Sequence, residues 1–192
     1  MPKILQPEDE NLERLIVDAS EHKAILYDEA VRRYGADVVA AALNKRYFLL
    51  CPTPQGNALC LAHKGRKRVG LRGGYHPSGG AVSNALALRH VILDLKEKGY
   101  EVEMIDRKSA IRARKGNEDF IAIARYTGYD YAAIRRVFES LVASGEAPQL
   151  RVYVGADKIG KLDDEVWPKT SGRLSITSEN LKLLEVPEYP RR

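Results

Sequence analysis

The chain has 192 residues, 44% of them hydrophobic and 30% charged, enough for one large domain or two small ones around a real core. No apolar run approaches the roughly 18 residues of a membrane span, and the opening "MPKILQPEDENLERL" lacks the basic-then-apolar layout of a secretion signal. Two cysteines make neither a disulfide scaffold nor a metal cluster, so no metal or cofactor is expected and the cytoplasm is the expected compartment.

The net charge of +5 is unevenly laid. Residues 1–37 hold 9 acids and 5 bases, residues 38–93 hold 8 bases and no acid, and residues 94–192 hold 17 acids and 18 bases. An acid-free window in an otherwise acid-rich chain points to a polyanion partner, because a nearby carboxylate would cancel attraction to phosphate.

Pro7 followed by Glu8, Asp9 and Glu10 predicts a helix start, with fixed φ and acids at the positive end of the dipole. Leu12, Leu15, Ile16 and Ala19 continue at helical spacing. A second helix carries Tyr27, Ala30, Val31 and Tyr34 on one stripe and closes at Gly35. A third opens at Asp37, with Val39, Ala42 and Leu43 inward; the short link makes the pair a helix-turn-helix. Then "RYFLLCPTPQGNALCLAH" sets two apolar runs around the turn residues 52–57, a β-hairpin that places Cys51 and Cys60 as neighbours.

Three helices and a hairpin make a winged helix, in which the third helix enters the major groove and the hairpin meets the backbone. Asn44, Lys45 and Arg46 are the outward positions at the end of that helix. Asparagine has the geometry to pair with adenine, and lysine or arginine with guanine or phosphate. Before Asn44 the helix is short of polar residues, which counts against strong base readout. Lys64, Arg66, Lys67 and Arg68 follow the hairpin, with Arg72 after them; a cluster so dense supplies charge for phosphates rather than groove geometry.

"GLRGGYHPSGGA" reads as a linker, giving a winged-helix domain over 1–72, a linker over 73–80 and a second domain over 81–192. A long helix over 81–98 is followed by period-two runs at 100–105, 109–114 and 119–127. Next come a helix over 130–143 and a strand at 150–155. "RLSIT" offers a further strand, and 179–184 a short helix. The expected class is α+β: a winged helix, then a small α/β sandwich ordered α-β-β-β-α-β, its last strand parallel through the crossover helix.

The segment "LAHKGRKRVG" after the wing, His76 ahead of a helix leading to "KGYEVE", and this element order resemble the replication-relaxation proteins of plasmids and other mobile elements, over most of residues 20–155. The resemblance implies a winged helix joined to a nuclease-like core of the PD-(D/E)xK type, and a role in controlling replication or transcription of a plasmid, phage or other mobile element. The chain departs from the active form of that core. Its third strand runs Phe120 to Arg125 with no carboxylate inside, and Ile123-Ala124-Arg125 fills the place where an acid and a lysine would hold Mg²⁺.

The expected protein is therefore a non-enzyme that binds double-stranded DNA. Its second domain would serve dimerisation, a protein partner or added backbone contact; a homodimer suits a winged helix, which alone covers few base pairs. Two other readings stand beside it: a metal-dependent nuclease using Asp106, Glu118 and Asp119, and a protein–protein adaptor that meets host machinery with its basic face.

Overall fold

A computed structural model of the chain describes residues 7–72, 77–105, 109–127, 131–159 and 179–188. The protein is α+β, with six α-helices and two sheets among the described residues. It divides into two compact units, Met1–Leu86 and Ala87–Arg192. No helix among the described residues is long and apolar enough to cross a membrane.

The first unit opens with α1 (Pro7–His22), the two-residue strand β1 (Ile25–Leu26), α2 (Tyr27–Tyr34) and α3 (Ala36–Asn44). One residue, Gly35, separates α2 from α3. Its φ of +94° lets it end one helix, its N–H donating to Val31 O, and begin the next, its carbonyl accepting from Val39 N. A side chain is strained at such a φ, which is why glycine stands there. Leu15, Ile16, Ala30, Val39 and Ala42 from the three helices are fully buried and meet Phe48 and Leu59 of the sheet.

The expected hairpin forms as β2 (Phe48–Thr53) and β3 (Gly56–Leu61). Pairing of Thr53 with Gly56 leaves a two-residue turn, Pro54-Gln55, and Thr53 Oγ1 donates to Gly56 O at 2.6 Å. β1 adds to the far side of β3, giving the order β1-β3-β2. The register sets Cys51 opposite Ala58 and Cys60 opposite Leu49, and both thiols are free, Cys60 buried and Cys51 partly so. Burial first, then Cys51, pushes the Cys60 thiol well above its ordinary value.

Period two gives β3 two buried faces. Leu59 and Leu61 meet the helices, while Ala58 and Cys60 pack with Ala24 and with Val82 and Leu86 from the first turns of α5 (Gly79–Glu97). The packing unit consequently runs to Leu86, past the glycine-rich stretch at which composition breaks. Of that stretch, residues 73–76 lie outside the described ones. Before it, α4 (His63–Arg68) makes a short helix of the basic segment.

In the second unit the strands β4 (Glu101–Ile105), β5 (Ala110–Lys115) and β6 (Glu118–Arg125) form an antiparallel meander. Then α6 (Tyr131–Leu141) leads to β7 (Leu150–Val154), parallel to β6. Alternation sends Ile121, Ile123, Leu150 and Val152 to α6, and Phe120, Ala122 and Tyr153 to the α5 face with Leu88, Val91 and Leu95. Helices thus cover both faces, as the continuous apolar run of β6 demands.

One expectation is corrected. Residues 179–184 are not a helix: Leu181–Glu185 is the strand β8, parallel to β7, and the sheet order is β4-β5-β6-β7-β8. Leu181 and Leu184 have helical spacing, but Leu181 and Leu183 join the α6 core while Leu184 and Val186 join the α5 core. A period-two segment apolar on both faces suits the open side of β7 better than a lone helix. The strand expected at "RLSIT" lies outside the described residues.

Candidate nucleic-acid interface

The chain leaves α3 by a tight reversal. Tyr47 N donates to Ala42 O and Arg46 N to Leu43 O, both at 2.9 Å, the paired bonds of a Schellman motif. The motif needs a left-handed residue before its last one, and Arg46 fills that place at φ +56°. The same chain solves the same problem twice with glycine. Gly70 (φ +72°) follows α4, with Leu71 N on Arg66 O and Gly70 N on Lys67 O; Gly99 (φ +82°) follows α5, with Tyr100 N on Leu95 O and Gly99 N on Lys96 O. A branched-off Cβ in this region costs on the order of 1 kcal/mol. Asn44, Lys45 and Arg46 are all exposed.

The next residue joins this turn to the basic segment. The ring of Tyr47 is buried, and Lys64 Nζ lies 4.7 Å and Arg68 Cζ 5.4 Å from its centroid. Arg68 Nη1 also donates to the Tyr47 hydroxyl at 3.0 Å, and Ala62 N to the Tyr47 carbonyl at 2.9 Å. That carbonyl explains the glycine amid the cations. A Cβ on Gly65 would stand 2.3 Å from Tyr47 O, so only glycine lets α4 come so close. Lys64 and Arg68, four apart, share one face of α4.

Arg66 points the other way. It is half-buried, and its Nε donates to Arg72 O at 2.6 Å. Lys67 and Arg72 are exposed.

Two cations of the acid-free window are not open charges. Arg89 is 1% exposed inside α5. Arg68 makes an ion pair with Glu13 of α1, and this carboxylate, then the Tyr47 ring and hydroxyl, holds its guanidinium above the ordinary value. A window free of acid in the sequence is therefore not free of acid in space.

On α3 itself the exposed residues are Ala36, Asp37, Ala40 and Asn44. Helices that read bases do so largely from their N-terminal turns, and here that end shows alanine and a carboxylate. Sequence reasoning missed Tyr47, Gly65 and Glu13. Tyr47 was signalled by its place between Arg46 and the hairpin, and Gly65 by its interruption of a basic run. Glu13, 55 residues from Arg68, left no signal.

The acids weighed for metal chemistry are placed as follows. Glu118 and Asp119 are consecutive on β6 and project to opposite faces. Asp119 accepts from Arg112 Nε at 2.8 Å and Nη2 at 2.5 Å, which holds its carboxyl below the usual range. Glu118 accepts from Arg151 at 2.9 Å and Tyr100 at 2.8 Å, and is lowered first by that arginine. Ile123 and Ala124 are buried in the sheet, and Arg125 Nη1 donates to Ala124 O at 2.7 Å. Asp106 and His76 lie outside the described residues. Among the described residues no group of three or more His, Cys, Asp or Glu is placed to hold a metal ion.

No protein-family model matches the chain, and no curated protein is significantly similar to it in sequence.

Proposed function

We propose that the first unit is a winged helix that binds double-stranded DNA by its phosphates, with the end of α3 and α4 as the grip and little base readout. The observation that carries this reading is Arg46. Where the chain could have used glycine, as it does at Gly70 and Gly99, it keeps a strained arginine beside Lys45 and next to the tyrosine that seats Lys64 and Arg68. Strain retained at an exposed, charged position marks a side chain that is needed there. The grip is Lys45, Arg46, Lys64, Lys67 and Arg72; Arg68 contributes less because Glu13 already answers its charge.

The second unit, by its resemblance to a nuclease core without the acids, serves the DNA-bound protein as a non-catalytic dimerisation or partner module, in control of replication or transcription of a mobile element.

The test is fluorescence anisotropy with duplexes of unrelated sequence across a salt series, comparing the native chain with a Lys45/Lys64/Lys67→Ala variant. Each lost phosphate contact removes about 0.9 from the log–log salt slope, so the slope falls by about 3 and affinity drops alike for every sequence. Equal affinity and slope in the two proteins overturn the reading in favour of a protein-binding face. Duplex cut in the presence of Mg²⁺ overturns the non-catalytic assignment.

A further inference from the structure

We propose that the β2 edge of the first unit pairs antiparallel with the same edge of a second copy of this chain, making a weak twofold dimer, independent of the DNA reading. β2 is the outer strand of its sheet, and among the described residues no strand pairs with its far side. Ala62 N donates to Tyr47 O across the ladder, which fixes the phase of the antiparallel alternation. Leu49, Cys51 and Thr53 therefore turn their backbone groups to β3, while Phe48, Leu50 and Pro52 turn theirs outward. Pro52 agrees with this phase, since a proline has no N–H to give a ladder and belongs on an edge. At the middle of the edge stand the N–H and C=O of Leu50, groups that take a hydrogen-bond partner wherever water is excluded.

Exposed edges are ordinarily guarded against pairing by charged side chains. The second unit's sheet is guarded at both ends, by Glu101 and Glu103 on β4 and by Lys182 and Glu185 on β8. β2 is not. From Tyr47 to Ala62 the chain has no charged residue, although 30% of its residues are charged. In place of charge, Leu50 is 48% exposed on the face that Phe48 shares with the helices. Leu49 is 38% exposed on the opposite face, which Cys51 shares with Val82 and Leu86.

That neutrality selects the occupant. A twofold axis at Leu50 sets Leu50 opposite itself, Leu49 opposite Cys51 and Phe48 opposite Pro52, so each cross-strand pair is apolar and no like charges meet. Each Leu50 N–H donates to the Leu50 carbonyl of the other copy, and the interface closes on itself. The same operation on β4, with its axis at Glu103, would set two carboxylates face to face. Phe48 to Pro52 is short beside the about 20–30 residues a side of a stable interface, so the dimer is weak and depends on concentration. Self-association then belongs to the first unit, which leaves the second for a partner.

Sedimentation equilibrium of the full chain without DNA, from micromolar to millimolar concentration, tests the proposal. The expected result is a monomer–dimer equilibrium that Leu50→Lys weakens at least tenfold. Met104→Lys, at a residue 43% exposed on β4, should leave it unchanged. Hydrogen exchange of the native chain gives a reading that needs no variant: protection of the Leu50 amide should rise with protein concentration, while the Leu49 amide, bonded to β3, stays protected throughout. A chain that remains monomeric at millimolar concentration, a dimer untouched by Leu50→Lys, a dimer dissolved by Met104→Lys, or Leu50 exchange that ignores concentration overturns the proposal. Leu50 is native in the variant used for the DNA test, so either reading can fail alone.

Discussion

Between Lys45 and Arg72 the first unit carries seven lysines and arginines, and Glu13, borrowed from α1, is the carboxylate seated on one of them, Arg68. In the β5–β6 hairpin of the second unit the arrangement is reversed: Asp119 lies between Arg112 at 2.5 Å and Arg114 at 3.6 Å, and Glu118 takes Arg151 at 2.9 Å. These arginines are neutralised where they stand, beside a strand ladder that gains from matched cross-strand charges. Lys64 of the first unit is stacked on Tyr47 instead, which orders a cation without cancelling it. The difference teaches where to look for a partner: charge that the fold has not answered is charge left for something else.

The comparison breaks first in the second unit's core. The Phe120 ring is fully buried, edge-on to Tyr100 at 5.6 Å and capped by Arg151 at 3.5 Å. Phe120→Ala should lower unfolding free energy by about 3–5 kcal/mol in urea titration and, under folding conditions, leave duplex affinity as it was. A large loss of affinity would show that the second unit's charges share in the grip.

Gly65→Ala comes next. The new methyl would meet a backbone carbonyl at 2.3 Å and Leu61 Cδ2 at 2.9 Å, and such overpacking costs about 1–3 kcal/mol. The denaturation midpoint should fall, and duplex binding with it as α4 is pushed off Tyr47. A normal midpoint would mean that α4 swings away freely.

Arg46→Gly should act in two directions. Relief of the left-handed strain raises stability by about 1 kcal/mol, while the salt slope for duplex binding drops by about 0.9. Stability without loss of binding would remove the functional reason for the arginine.

Glu13→Gln sharpens the same contrast from the other side. Releasing Arg68 to solvent should cost under about 1 kcal/mol of stability, as for other surface pairs, and tighten duplex binding about threefold by anisotropy. Unchanged binding would place Arg68 outside the interface.

The smallest effect is the pH dependence at Asp119. Its carboxyl is lowered in the folded state by Arg112, so its contribution is present above the ordinary carboxylate value of about 3.9 and is lost as pH falls below that value through the folded one. Asp119→Asn should therefore be destabilising at pH 7, by under about 1 kcal/mol, and nearly neutral at pH 2 in urea midpoints. An equal cost at both pH values would assign the effect to packing instead.

Much of this architecture was legible along the chain, because it rests on local signals. The helical stripes around Leu15 and Ala30, the turn residues between Phe48 and Leu61, and the period-two run through Ile121 and Ile123 each state a geometry over a few residues. The strand at Leu181–Glu185 was misread because its leucines satisfy two periods at once, and the open side of β7 chose between them. The lack of a carboxylate between Phe120 and Arg125 was equally plain in the letters. What the letters could not hold is which charges meet. The sequence by itself determined that the cations of residues 38–93 have no acidic neighbour along the chain; only the tertiary structure decided that Glu13 answers Arg68, that Arg89 is buried, and that Tyr47 and Gly65 seat α4 against the end of α3. Electrostatic attraction acts through space over a few ångströms, and folding brings residue 13 beside residue 68 at no distance the sequence records.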